Sequence, residues 1–190
     1  AYIPKHREDQ KLPVLVFLHG FGGNFTSYLY KLSFLADTYH VAIIAPSYKS
    51  GIWDKDSLDF INNVIQDAER KFDLDHENYY LMGFSNGGLI LPDAYKNNPS
   101  RYRGLIFFST YLNKDVFLQS DFLPSLNDKN ILIFQGNKDE RIEPDNTRTI
   151  VDLLKEKNSN ILLKEFPSDH FLFFENNNEI LELIGKTYFV

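Results

Sequence analysis

Gly83-Phe84-Ser85-Asn86-Gly87-Gly88 sets a serine between glycines, after the apolar run Tyr79-Tyr80-Leu81-Met82 and before a predicted helix. At such a junction a serine can be forced onto a sharp strand-to-helix turn. Its hydroxyl is then exposed, and the helix N-terminus beside it favours negative charge. A side chain at Gly83 or Gly87 would crowd the backbone of that turn. A serine hydroxyl is a poor nucleophile near neutral pH, so Ser85 needs a base within hydrogen-bond reach. Histidine suits the task because its ordinary pKa is about 6.5.

Five histidines are available, and His170 fits best, in Pro167-Ser168-Asp169-His170 after a predicted strand. His6 is near the terminus, His40 lies at a helix–strand junction, and His76 is in a polar loop before a strand. His19 ends a strand but runs straight into the glycines of Gly20-Phe21-Gly22-Gly23, which suits a structural role. An imidazole base needs an acceptor that fixes its tautomer and stabilises the imidazolium. Asp139, in Gly136-Asn137-Lys138-Asp139 just past a buried strand, is placed for this. Asp169 adjoins His170 in sequence, a poor position for orienting the ring, and Glu140 and Asp115 are weaker contenders. A tetrahedral intermediate would also need backbone N–H donors for its oxyanion. The Asn86 amide at the helix start is one, and the Phe21 amide in the Gly-rich loop is the expected second.

Alternating strands and helices would bring these segments to one edge. Apolar runs predict strands over Leu12–His19, Val41–Ala45, Asn78–Gly83, Gly104–Ser109, Asn130–Gly136 and Ile161–Phe166. Helices are expected from Ser27 to Asp37 with Thr26 or Ser27 as cap, and from Ser57 to Phe72 with Ser57 as cap. A third follows Gly87 to about Asn98, with Pro92 tolerable only in a first turn or at a kink. Two more run from Asp145 or Asn146 to about Lys157 and from Glu179 to Tyr188. Leu58, Ile61, Val64, Ile65 and Ala68 share one face of the second helix. Gly20 to Asn24 and Asn176-Asn177-Asn178 read as loops. Strict alternation is the pattern of a parallel sheet covered on both faces. In such sheets, sites form at the carboxyl ends of the strands. The oxyanion loop, Ser85, Asp139 and His170 each follow a different predicted strand.

Composition narrows the function classes. The chain of 190 residues with 43% apolar content suits one domain, residues 1–190, with a sizeable core. A net charge of −6 without a Lys/Arg cluster argues against a nucleic-acid surface. The absence of cysteine excludes disulfides, thiolate metal sites and cysteine nucleophiles. No stretch approaches the roughly 18 apolar residues of a membrane span. The chain opens on Ala1 rather than Met, so the lack of a visible signal peptide says little about location.

On His19-Gly20-Phe21-Gly22-Gly23, the Gly83–Gly88 motif, Gly136-Asn137-Lys138-Asp139-Glu140-Arg141-Ile142 and Ser168-Asp169-His170-Phe171, the chain resembles the α/β-hydrolase superfamily along nearly its whole length. Within it the segments look like the small carboxylesterase, lysophospholipase and dienelactone-hydrolase branch. The resemblance implies a three-layer α/β/α sandwich with a mostly parallel sheet. It also implies Ser85 as nucleophile, His170 as base, Asp139 as acid, and Phe21 and Asn86 amides as oxyanion donors. No cofactor or metal is implied, and the partner is a small-molecule ester or thioester. The family sheet is commonly larger than the six strands predicted here. Ala1-Tyr2-Ile3-Pro4 looks like the tail of an earlier strand, so the leading hairpin is expected to be absent or to lie upstream. The insertion at about 110–129 is short and cap-like. From it Tyr111, Leu112, Phe117, Leu118 and Phe122 are candidates for an apolar wall or else for core packing, and Tyr48 and Trp53, after the second strand, are candidates to border the site. Two rivals stand beside an esterase: a serine peptidase of the same fold, and a binding protein that keeps the fold without activity.

Overall fold

The computed structural model describes residues 1–7, 9–23, 25–119, 122–156 and 160–190. Asn24 of the expected loop, Ser120 and Asp121 of the insertion, and Lys157 at an expected helix end lie outside the described residues.

β1 (Leu12–Leu18), β2 (Ala42–Ile44), β3 (Leu74–Phe84), β4 (Tyr102–Phe108), β5 (Asn130–Gly136) and β6 (Ile161–Phe166) form one sheet in the order β2-β1-β3-β4-β5-β6. Every neighbouring pair is parallel. Among the described residues the antiparallel element is a single bridge, Tyr2 to Ile43, with N···O distances of 2.8 and 2.9 Å.

The strands are apolar where both faces are covered, whereas the start of β3 and the edge strand β6 carry charged, partly exposed residues. Side chains alternate across a strand, so Val14, Val16, Leu81, Leu105, Phe107 and Ile131 enter one core. Leu15, Phe17, Met82, Ile106, Phe108 and Leu132 enter the other. The first core is closed by α2 (Ser57–Lys71), α4 (Leu91–Asn97) and α7 (Pro144–Lys155), through Ile61, Ile65, Leu91 and Leu154. The second is closed by α1 (Phe25–Tyr39) and α9 (Asn177–Tyr188), through Leu32, Leu35, Ile180 and Ile184. Right-handed crossovers explain the split. The step from β1 to β2 runs one way along the sheet and puts α1 on one face. All later steps run the other way and put their helices on the opposite face.

Several local boundaries differ from the sequence expectation. β3 starts at Leu74 rather than Asn78, because Leu74 pairs with Leu12 before an irregularity in the register. α1 starts at Phe25, so Thr26 and Ser27 lie within the helix. Ser57 also lies inside its helix, its amide bonded at 3.1 Å to the Asp54 carboxylate, which takes the capping role. α7 starts at Pro144, whose fixed φ suits a first turn, ahead of Asp145 and Asn146. Asn177 and Asn178 open α9 rather than forming a loop. α3 (Asn86–Leu89) is separated from α4 by Ile90, which leaves Pro92 in the first turn of α4. The insertion after β4 holds α5 (Lys114–Phe117) and α6 (Phe122–Ser125), and α8 (Leu172–Glu175) precedes α9.

Candidate active site

Ser85 follows the last residue of β3, beside the point where the strand order reverses. Its backbone has φ 51° and ψ −119°, a region that residues with a Cβ rarely occupy. The turn is held by Ser85 N donating to Phe108 O at 2.8 Å and Gly88 N donating to Ser85 O at 2.9 Å. The glycines are sterically required. A Cβ on Gly87 would sit 2.1 Å from Leu18 O, and one on Gly83 would sit 2.5 Å from Gly87 O. The Ser85 hydroxyl has no hydrogen-bond partner among the described residues.

His170 and Asp139 form a buried pair, with Nδ1 to Oδ2 at 2.8 Å. His170 is 5% exposed and Asp139 4%. The carboxylate is well supported: Oδ1 accepts from the Arg141 and Ile142 amides at 2.9 and 3.0 Å, and Oδ2 also receives Gln135 Nε2 at 3.4 Å. Gln135 is in turn fixed by Thr147 Oγ1, which donates to Gln135 Oε1 at 3.1 Å. With Nδ1–H given to a carboxylate, a neutral imidazole presents Nε2 as its free acceptor.

β6 lies three strands from β3, so the loop after it must cross the strand ends to bring His170 near Ser85. Asn137 N and Lys138 N bond Phe166 O and Ser168 O at 2.9 and 3.0 Å. Ser109 Oγ donates to His170 O at 3.0 Å. Gly136 permits the crossing, because a Cβ there would lie 2.2 Å from Asp169 O. The His170 ring ends 5.0 Å from the Phe84 ring, the residue next to Ser85. The remaining histidines and acids lie elsewhere or are otherwise engaged. His6 Nδ1 bonds Pro4 O, His76 faces Glu69, and Asp169 accepts from the Phe171 amide at 2.7 Å.

The loop after β1 is a tight turn closed by Gly23 N to Gly20 O at 3.0 Å. Gly22 holds φ 64° at its third position, as a type II turn requires. His19, fully buried, bonds Gly20 O through Nδ1 at 2.9 Å, the structural role expected of it. The Gly20 carbonyl is therefore gripped from two sides. Peptide planarity then points the Phe21 N–H the opposite way. Neither the Phe21 nor the Asn86 amide is engaged by an acceptor among the described residues.

The expected apolar wall divides. Leu112, Phe117 and Phe122 are core residues, and Phe117 packs edge-on against Phe107 at 5.6 Å. Trp53 is also core: its Nε1 donates to His19 O at 2.7 Å and its ring stacks on Tyr48. These four side chains fill space beneath the loops, as large aromatic and aliphatic groups do where apolar burial is available. Tyr111 and Leu118 are exposed, and Tyr48 is partly buried. Sequence reasoning missed Gln135 and Ser109. A glutamine at the end of the apolar run Asn130–Phe134 was the available signal for the first.

No family model matches the chain, and no curated protein is similar to it in sequence. Solved structures do match its backbone. FphF, a fluorophosphonate-binding serine hydrolase of Staphylococcus aureus, superposes with a TM-score of 0.76 at 16% identity, over 96% of this chain and 90% of that one. The Pyrococcus furiosus esterase Pf2001 gives 0.73 at 14% identity, over 93% and 82%. A monoacylglycerol lipase of Paleococcus ferrophilus gives 0.69 at 15% identity, over 93% and 96%. At such identities the likeness is one of backbone. With its parallel six-stranded sheet, strand order and helices on both faces, this chain has the α/β-hydrolase fold.

Proposed function

We propose that the chain is a serine hydrolase cleaving carboxylic esters or thioesters through an acyl-enzyme, with Ser85, His170 and Asp139 as the triad. The observation that carries this reading is the buried 2.8 Å pair of His170 and Asp139, brought to the strand-end edge where a backbone-strained serine follows β3. His170 Nε2 takes the Ser85 proton as Oγ attacks the acyl carbon. The amides of Phe21 and Asn86 receive the developing oxyanion. Collapse of the tetrahedral species expels the alcohol or thiol, which takes the proton back from His170. Water then repeats the sequence on the acyl-enzyme and frees Ser85. Asp139 fixes the imidazole tautomer and stabilises the imidazolium. No step calls for a cofactor. Tyr48 and Tyr111, which reach the surface beside these loops, are the candidates for substrate contact.

The α/β-hydrolase neighbours described as serine hydrolase, esterase and lipase favour this chemistry over a binding role without catalysis. Ser85→Ala is expected to lower p-nitrophenyl ester hydrolysis by about a thousandfold or more, with an unchanged circular-dichroism spectrum. A fluorophosphonate probe should label the parent chain and not the variant. Retained hydrolysis in Ser85→Ala overturns the assignment, and cleavage of aminoacyl-p-nitroanilides without esters would make the chain a peptidase.

A further inference from the structure

The turn at residues 49–51, after β2, is the most contorted backbone in the described chain. Lys49, Ser50 and Gly51 hold φ of 36°, 54° and 82° in succession, and two of them carry side chains. Such backbone persists only where its surroundings over-determine it. Here the surroundings are the two segments that carry the proposed oxyanion donors. Ser50 O accepts from Gly22 N at 2.7 Å, in the loop that bears Phe21. Gly51 O accepts from Asn86 Nδ2 at 3.1 Å. Gly51 also presses on that loop so closely that a Cβ would lie 2.1 Å from Gly20 O. Among the described residues no hydrogen bond runs directly between residues 20–23 and residues 85–88. The turn is hydrogen-bonded to both.

We propose that the Asn86 side chain is a positioning residue. Its carboxamide ties the 49–51 turn to the serine turn, and the 49–51 turn holds the Gly20–Gly23 loop. The β1–β3 pairing and the packing of Gly87 on Leu18 O bring the two segments together, and this side-chain hydrogen bond fixes the final separation of the Phe21 and Asn86 amides. The inference rests on the reading of Ser85 as nucleophile, and it gives Asn86 two separate jobs. Its backbone N–H stabilises charge, while its side chain fixes where the other donor stands. The chemistry requires a donor at this place, because the partner is a carbonyl. Aspartate has the same shape but would set a carboxylate against Gly51 O. Leucine would leave that carbonyl without its donor. Oxyanion donors act over a narrow range of distance, so small misplacement lowers turnover with little effect on ground-state binding.

The test compares Asn86→Leu, Asn86→Asp and Asn86→Gln with the parent chain, all of which keep the backbone amide. In Asn86→Leu and Asn86→Asp, kcat for p-nitrophenyl acetate should fall about ten- to a hundredfold while KM stays within about twofold. Asn86→Gln, which keeps a donor, should recover a large part of kcat. Independently of activity, hydrogen exchange at the Gly22 amide should quicken by about tenfold in Asn86→Leu, and the Gly23 amide, bonded within its own loop, should not change. An unaltered kcat in Asn86→Leu, or unaltered exchange at Gly22, overturns the proposal while leaving the serine-hydrolase reading intact. A parent chain that neither hydrolyses esters nor takes a fluorophosphonate overturns that reading, and the catalytic role of Asn86 with it.

Discussion

Ser85 keeps a backbone conformation that a glycine would adopt freely, and the strain is of the order of 1–3 kcal/mol. It is imposed from outside: β3 delivers the chain to Phe84, Gly87 packs on the Leu18 carbonyl, and the Ser85 amide is committed to Phe108 O. Ser85→Gly should therefore stabilise the fold by about 1 kcal/mol, the released strain being partly offset by the flexibility of glycine when unfolded. Ser85→Ala keeps the Cβ and should bring no such gain. Urea unfolding of the three proteins distinguishes them, and equal midpoints for glycine and alanine would show that the turn stores no strain. Asp139 illustrates the opposite case, a carboxylate with both oxygens supplied with donors. Asp139 receives four hydrogen bonds, and His170 has one nitrogen committed. Fixed partners at a buried carboxylate hold its geometry in place.

At the scale of elements, the loops after the strands do the positioning, and each is buttressed by its neighbour. The start of α2 is joined to the strained 49–51 turn through Asp54. Its Oδ1 accepts from the Ser57 amide at 3.1 Å, and its Oδ2 receives Lys49 Nζ at 3.2 Å. The lysine hydrogen bond, above all, holds the Asp54 carboxyl below its ordinary value of 3.8. A carboxyl depressed in the folded state adds stability that is present above the unfolded value. That stability is lost as the pH falls through the folded value. The melting temperature of the parent chain should thus exceed that of Asp54→Ala at neutral pH, with the gap closing below about pH 3.8. Added salt should narrow the gap at neutral pH, because the pair is at the surface. A gap that is constant through the acid range would assign the loss to packing alone.

For the whole molecule, the sheet divides the interior into two cores that share strands but not side chains. Ile65 lies in one and Ile180 in the other, and both are fully buried. Ile65→Val and Ile180→Val should each cost about 1 kcal/mol, and the double variant their sum to within about 0.5 kcal/mol. Denaturant midpoints measure this, and strong coupling would mean that the sheet transmits packing strain from face to face. The same architecture explains the site. With all strands parallel, every strand ends at the same edge, so four segments far apart in sequence are delivered to one place. Among the described residues no helix is long and apolar enough to cross a membrane.

Much of this was legible without coordinates. Apolar runs identified all six strands, most of them because a strand buried on both faces needs no polar alternation, although the edge strand β6 is only partly buried. The stripe of Ile61, Ile65 and Ala68 identified the buried side of α2. The glycines around Ser85 and after His19 marked turns that only small residues can make. Local sequence decides such features because they depend on neighbours one to four residues apart. What required the tertiary structure was everything set by distance across the chain. The loop after β6 reaches over two strands through contacts with Gly136, Ser109 and Lys138, which no local pattern encodes. The same holds for Leu112, Phe117 and Trp53. Their apolar surface says that they are buried, and only the packing says that they are buried in the core rather than around a substrate. Asn86 is the sharpest instance. Sequence places its amide at the start of a helix, while its side chain finds Gly51, 35 residues away, only when β2 and β3 lie in one sheet.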